Sequence, residues 1–503
     1  MLEKRLEIYV MKKIHLNIIL IVIVLLAAIF LVLAFTSDDE EKSKKTSSED
    51  LSALVESKPL PIPLILEDLD PDPKQAEFHL TAQKGTSEIL EGVESTTLGY
   101  NGNILGPVIR VHEGEKVKLK MKNELDEATT LHWHGLRVDG KNDGGPHSGI
   151  KSGETWEPEF TIDQPAATLW YHPHMMHMTA KQVYEGLAGF FYIEDEVSKQ
   201  LDIPKEYGVN DFPVVIQDRR LDSKGNMQYD PGMTDVMMGL YGNAFLVNGV
   251  ISPYLEVPKG MVRLRLLNGS NGRTYHFELS NGQEFYQIAS DGGFLEKSVE
   301  MTSIRMSPAE RAEILVDFSK LETGDRIKLI DTGSELSKTV SEVVEVELME
   351  FVVTDEESKV FKIPEQLTEI EYIDPDSAVV TRDMVMAGVG ATLTINDKSM
   401  DMSRIDEEVN LNDTEIWEVT NQRTGLNGGM PHPFHLHGVQ FQVLDRDGNP
   451  PPANESGWKD TILVQPGETV RIITKFTHTG IFMYHCHILE HEDAGMMGQY
   501  EVK

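Results

Sequence analysis

The sequence predicts an all-β protein built from three sandwich domains, and three observations carry that prediction. From Pro61-Ile62-Pro63 onward the chain breaks into short alternating segments punctuated by Gly, Pro, Asn and Asp, the texture of a sandwich or barrel. One such segment recurs. Lys116-Val117-Lys118-Leu119-Lys120-Met121-Lys122-Asn123 alternates strictly, which sets one face on a core and the other in water. Gly260-Met261-Val262-Arg263-Leu264-Arg265-Leu266-Leu267-Asn268 and Thr414-Glu415-Ile416-Trp417-Glu418-Val419-Thr420-Asn421 resemble it, each again closed by Asn. These asparagines stand 145 and then 153 residues apart (123 to 268, 268 to 421), a domain length. Finally, no long amphipathic helix interrupts the pattern.

The chain begins with Lys4, Arg5, Lys12 and Lys13, followed by an unbroken apolar run from Ile18 to Phe35 and then Thr36-Ser37-Asp38-Asp39-Glu40-Glu41. This charge order sets the N-terminus in the cytoplasm. The run is longer than the core of a cleaved signal and no Ala-x-Ala site follows, so an uncleaved anchor is favoured over a signal peptide for residues 1–36. Residues 37–58 are Ser-, Lys-, Glu- and Asp-rich and read as a solvated linker. Connector-like stretches near 200 and 360 then divide the body into domains 59–200, 201–360 and 361–503. The body is expected outside the cytoplasmic membrane, tethered to it or secreted, as a monomer.

Composition excludes some functions. A formal charge of −36 leaves nothing to neutralise a phosphate backbone, so nucleic acid is not a partner. The single cysteine, Cys486, permits no internal disulfide.

Ten of the 17 histidines lie in four tight clusters. His132-Trp133-His134-Gly135 and His172-Pro173-His174 fall in the first domain, and His432-Pro433-Phe434-His435-Leu436-His437-Gly438 and His485-Cys486-His487 with His491 fall in the third. In an extended segment residues i and i+2 project from one face, so each His-x-His offers two imidazoles to one side, for one metal or two adjacent ones. His485-Cys486-His487 sends its thiolate the other way, toward a separate copper that His432, His491 and a weak axial Met496 complete. Soft thiolate with two imidazoles and a distant thioether is the blue-copper set. Structural zinc sites use different spacings, often with several cysteines.

At these residues the sequence resembles the bacterial three-domain multicopper oxidases of the laccase and copper-efflux-oxidase branch. The motifs His-x-His-Gly, His-x-His, His-x-x-His-x-His and His-Cys-His-x-x-x-His-x-x-x-x-Met all stand complete and in order. Gly106-Pro107-Val108-Ile109-Arg110 and Gly457-Trp458-Lys459-Asp460-Thr461 are smaller matches. The resemblance implies three cupredoxin-like Greek-key domains and four copper ions. Type 1 copper would take His432, Cys486, His491 and Met496. Type 2 would take His132 and His435, and the type 3 pair His134, His172, His174, His437, His485 and His487. Asp143 and Glu492 occupy positions the family uses to supply protons, although by composition alone the first is a turn residue and the second a solvated charge. His177 is expected to face solvent or to support a ligand without being one, and His79, His112, His147, His276 and His478 are expected to be structural.

The resemblance implies an oxidase that takes single electrons from a phenol or aromatic amine at type 1 copper, passes them through Cys486, and reduces dioxygen to water. Cuprous, ferrous or manganous ion and bilirubin are alternative donors; a copper-free interaction protein of the cell envelope is a remote one. Copper-efflux types carry a Met-rich insert before the type 1 motif. Here that region holds only Met384, Met386, Met400 and Met402, and Asn427-Gly428-Gly429-Met430-Pro431 lacks an acidic residue. An open site for organic donors is therefore expected.

Overall fold

The structure, a computed structural model, describes residues 56–333, 345–388, 393–423 and 429–503. The N-terminal apolar run, nearly all of the linker, and Asn427 and Gly428 lie outside the described residues. Among the described residues no helix is long and apolar enough to cross a membrane.

The described residues form six sheets, paired into three cupredoxin-like sandwiches, each with its own core. The three Asn-closed segments are strands with the bounds Lys116–Asn123, Met261–Asn268 and Thr414–Asn421. Each pairs in parallel with an earlier strand of its own sandwich: Gln75–Leu90, Asp211–Arg219 and Val380–Ala387 respectively. Each closing asparagine then does the same job. Asn123 Nδ2 donates to the carbonyls of Glu127 and Ile150, Asn268 Nδ2 to those of Arg273 and Met306, and Asn421 Nδ2 to those of Met430 and Val464. One amide thus satisfies two main-chain acceptors where the ladder ends, which is why the recurrence is visible in sequence.

The copies differ in what they face. In the first, Val117, Leu119 and Met121 are wholly buried, each contributing about 1.5–3 kcal/mol, while the lysines between them reach toward solvent. In the second, every position is buried, Arg263 and Arg265 included. Their face packs against the first domain: Arg265 Nη1 donates to Thr168 Oγ1 at 2.9 Å, and both arginines pair with Asp211 and Glu313. An alternating strand announces two unlike faces, but only a neighbouring domain decides whether the charged one meets water.

The sheets that matter for function lie against each other across the first and third domains. His132–His134 is an edge strand paired with Ala167–His172, so that His132 sits opposite His172. His432–Leu436 lies beside Gly480–Cys486, which sets His435 opposite His485 and Phe434 opposite Cys486. Trp133 and Phe434 turn into the cores of their sandwiches, leaving the flanking histidines on the other face.

Candidate metal centre

All ten clustered histidines, Cys486 and Met496 are at most 3 % exposed. The structure gathers them into two places. In the third domain His432, Cys486 and His491 form one group of potential ligands: Cys486 Sγ lies 3.4 Å from His432 Nδ1 and 3.6 Å from His491 Nδ1. Met496 belongs to the same core and is tied in by its backbone, since Cys486 N donates to Met496 O and Met496 N to His491 O. The remaining eight imidazoles converge between the first and third domains in three groups: His134, His172 and His487; His174, His437 and His485; and His132 with His134 and His435. The two rings of His172/His174, of His435/His437 and of His485/His487 go to different groups. Cys486 joins the two places in a single tripeptide.

The ring nitrogens are oriented for metal. His132 Nδ1 donates to Asp143 O at 2.9 Å, His435 Nδ1 to Asp460 O at 2.8 Å, His172 Nδ1 to Pro173 O at 2.9 Å and His485 Nδ1 to Cys486 O at 3.1 Å. His437 Nδ1 donates to the Asp143 carboxylate at 2.9 Å. With Nδ1 holding the proton, each Nε2 is left as a bare lone pair. His132 Nε2 and His435 Nε2 are buried with no partner, and neither nitrogen of His487 has one. His485 Nε2 lies 3.2 Å from His174 Nε2 and 3.1 Å from His437 Nε2. The bare nitrogens of His437 and His485, aimed at each other, repel, and each orphaned nitrogen costs about 1–3 kcal/mol. Cations between them remove both penalties, so the donor set fits four coppers.

His134 is turned round. Its Nδ1 faces His172 Nε2 at 3.4 Å, while Nε2 donates to Asp460 Oδ1 at 3.0 Å. Asp460 in turn accepts from Arg311 Nη1 at 2.8 Å and Nη2 at 2.5 Å and from Gln440 Nε2 at 2.9 Å. An arginine of the second domain is thus linked, through an aspartate of the third, to a histidine of the first. Gly135 makes room for this: its φ is +90°, and a Cβ there would lie 2.4 Å from Asp460 Oδ2. Trp170 stacks on His172 at 4.1 Å between ring centroids. Sequence reasoning assigned no role to Asp460, Arg311 or Trp170; only the short Lys459-Asp460-Thr461 match hinted at the first.

Burial, reinforced by neighbouring imidazoles, holds His134, His172, His174, His435, His437 and His487 well below the usual histidine range. His432 is likewise held well below it, by burial and by His491, while burial brings His485 to about 3 and His491 to about 4. All are therefore neutral and able to ligate at neutral pH. Burial pushes the Cys486 thiol up, so a thiolate there requires a metal to displace the proton. Burial, then Asp493 and Glu490, also holds the Glu492 carboxyl well above its ordinary value. Its oxygens lie 3.4 Å from His174 Nδ1 and 3.3 Å from His485 Nδ1, too poorly directed to be hydrogen bonds. Asp143 is buried, with Oδ1 unpartnered. Neither carboxyl is a solvated charge.

His177 is exposed and bonds Asp493 O; His79, His112, His147, His276 and His478 also lie outside the groups. Met384 and Met386 are core residues. The expected open donor site is not what the structure shows. His491 has no exposed surface, and its Nε2 donates to Met237 O, 3.2 Å away on a helix of the second domain.

Comparison with known proteins agrees with this geometry. The family described as "Multicopper oxidase" matches residues 81–198 and again 369–503. The chain is 44 % identical over 425 residues to the multicopper oxidase mco of Staphylococcus haemolyticus, covering 84 % of this chain and 88 % of that one. It is 37 % identical over 459 residues to the cell division protein FtsP of Xenorhabdus nematophila, covering 88 % and 92 %. The crystal structure of a laccase from Pediococcus acidilactici superposes with a TM-score of 0.82 at 42 % identity, covering 89 % and 94 %. With this likeness over most of its length and a donor set that fits type 1, type 2 and type 3 copper, the chain belongs to the multicopper oxidases.

Proposed function

We propose that the protein is a laccase-type oxidase that takes single electrons from phenols or aromatic amines and reduces dioxygen to water. The observation that carries this reading is the tripeptide His485-Cys486-His487. Its sulfur faces His432 and His491 while its two imidazoles enter two different groups of the eight-histidine cluster, a connection that storage of copper would not need.

In this reading His432, Cys486, His491 and Met496 hold type 1 copper. His132 and His435 hold type 2, and His134, His172, His174, His437, His485 and His487 hold the type 3 pair. When bound, the coppers supply one-electron acceptance from the donor and four-electron reduction of dioxygen. The chain supplies the rest. Backbone carbonyls fix which nitrogen is bare in His132, His172, His435 and His485, and the carboxylates of Asp143 and Asp460 do so in His437 and His134. The Glu492 carboxyl, kept protonated by burial beside His174 and His485, provides protons, and the orphaned Asp143 Oδ1 lies ready to accept or pass one. Domain limits of 59–200, 201–360 and 361–503, a position outside the cytoplasmic membrane with the N-terminal run as anchor or signal, and a monomeric state belong to the same proposal. A copper-free interaction role would have no use for eight imidazoles with converging bare nitrogens.

Oxygen uptake by the copper-loaded protein tests the reading, with a phenol, an azine dye, bilirubin and cuprous ion as donors. Uptake with the phenol or the dye supports it. Uptake with cuprous ion alone would make the protein a metallo-oxidase, and uptake with none would return it to an interaction role.

A further inference from the structure

His491, an imidazole of the Cys486 group, has no exposed surface. What covers it is the helix Met233–Met238 of the second domain, and none of that helix's six residues is itself buried. Met233 is 81 % exposed, and among these residues Met238 packs against the third-domain core. A segment so poor in buried apolar surface draws little stability from packing and belongs to the parts of a fold that open most easily. Polar attachments hold it instead. At its outer end Arg220 grips Asp235 through two hydrogen bonds, Nη1 to Oδ2 at 3.0 Å and Nη2 to Oδ1 at 2.6 Å, and Gly232 N also donates to Asp235 Oδ2. At its inner end Leu240 N donates to Glu490 Oε2 at 3.0 Å, next to His491 in sequence. Glu490 Oε1 accepts from Asn271 Nδ2 at 2.7 Å, and Asn271 also donates to Ala180 O of the first domain. The inner attachment is therefore anchored in all three domains, whereas the outer one is centred on the Arg220–Asp235 ion pair. The segment is bounded by Gly232, extended, and Gly239, with φ +80°, suited to act as hinges.

We propose that Gly232–Leu240 is the specificity-determining cover of the donor side, latched closed by Arg220–Asp235. The Met237 carbonyl occupies the place beside His491 Nε2 that an organic donor would otherwise take. Closed, the cover admits only electrons delivered across that carbonyl, which compact one-electron donors resting on the helix can provide. Ring donors that must touch His491 require the outer latch to open. Met237 is then a positioning residue as well: by accepting the Nε2 proton it keeps Nδ1 bare toward Cys486. This inference rests on the oxidase reading above.

The test compares Asp235→Ala with the parent as copper-loaded full chains, using a two-ring azine dye and ferrocyanide as donors, and follows amide hydrogen exchange of both proteins. Exchange in Gly232–Leu240 is expected to rise about tenfold while the strand Gly480–Cys486 is unchanged. The kcat/KM for the dye is expected to rise by about tenfold, with that for ferrocyanide within about twofold, copper content and the blue band intact. Asp235→Glu, which keeps a carboxylate for Arg220, should restore the parent values. Unchanged exchange in Gly232–Leu240, or equal changes for both donors, overturns the latch. If Asp235→Ala loses copper, Arg220→Gln carries the same comparison with the same two outcomes. A parent that consumes no dioxygen with either donor overturns the oxidase reading instead, and the exchange measurement still decides whether the latch exists.

Discussion

Asp460→Asn should disable the cluster without removing any ring from it. The Asp460 carboxylate is wholly buried and accepts from Arg311 twice, from Gln440, from Thr461 Oγ1 and from His134 Nε2. Burial alone would raise this carboxyl, but Arg311 holds it below the ordinary range, so it is ionised. An amide keeps the shape and loses the charge. Its nitrogen also turns donors against donors at one of the two former oxygen positions. Breaking a buried ion pair by removing one partner costs about 3–5 kcal/mol. Arg311 retains Asp291, whose Oδ1 lies 3.6 Å from Nη1 and whose main-chain oxygen accepts from Nη2 at 3.0 Å. The low end, about 3 kcal/mol, therefore applies. In calorimetry that should appear as a drop in Tm of roughly 3–10 °C, the low end if all three domains melt together and the high end if the third melts alone. His134 loses the partner that holds its Nε2, and losses of an outer hydrogen bond to a metal-binding histidine reduce affinity or activity about 10–100-fold. Copper analysis after dialysis should then show the cluster depleted while the blue band from the Cys486 group persists. Asp445→Asn is the control: it breaks a pair with Arg471, which is 38 % exposed, and should cost under about 1 kcal/mol. An Asp460→Asn protein with full copper and a Tm within 2 °C or so of the parent would refute the reasoning.

Cys486→Ser should abolish the intense blue absorption while the eight-histidine cluster keeps its copper; a persisting blue band would remove Cys486 from the type 1 role. Glu492→Gln should slow dioxygen reduction about 10²–10⁴-fold in single-turnover work while donor oxidation changes little, and the reverse order would remove its proton role. The interface between the first two domains should be acid-labile. Burial would raise Asp211 and Glu313, but Arg265 and Arg263 hold both carboxyls below their usual values. A depressed folded-state pKa contributes stability that is present above the unfolded value, about 4, and is lost as pH falls through the folded one. Tm should therefore fall more steeply below about pH 4 in the parent than in Asp211→Asn, and parallel curves would contradict this.

Much of this protein was legible in its amino-acid order because the informative signals are local. Period-two alternation in Lys116–Asn123, its two later copies and their closing asparagines determined an all-β chain of three sandwiches. His-x-His spacing, a property of three consecutive residues, determined that eight imidazoles would be presented in pairs, and the neighbouring Cys486 that a thiolate would face away from them. The tertiary structure decided everything that depends on segments far apart in the chain. It buried Arg263 and Arg265 by setting the first domain on a face that alternation alone assigns to water. It brought Arg311 to Asp460 and His134, chose which nitrogen is bare in six of the eight cluster rings, and turned Glu492 from a surface charge into a buried acid. It also replaced an open donor site with the Met237 carbonyl, which reaches His491 from 254 residues away. Contacts of that range leave no period in a sequence, because either side chain or carbonyl would read the same with its partner absent; only the packing of whole domains makes them neighbours.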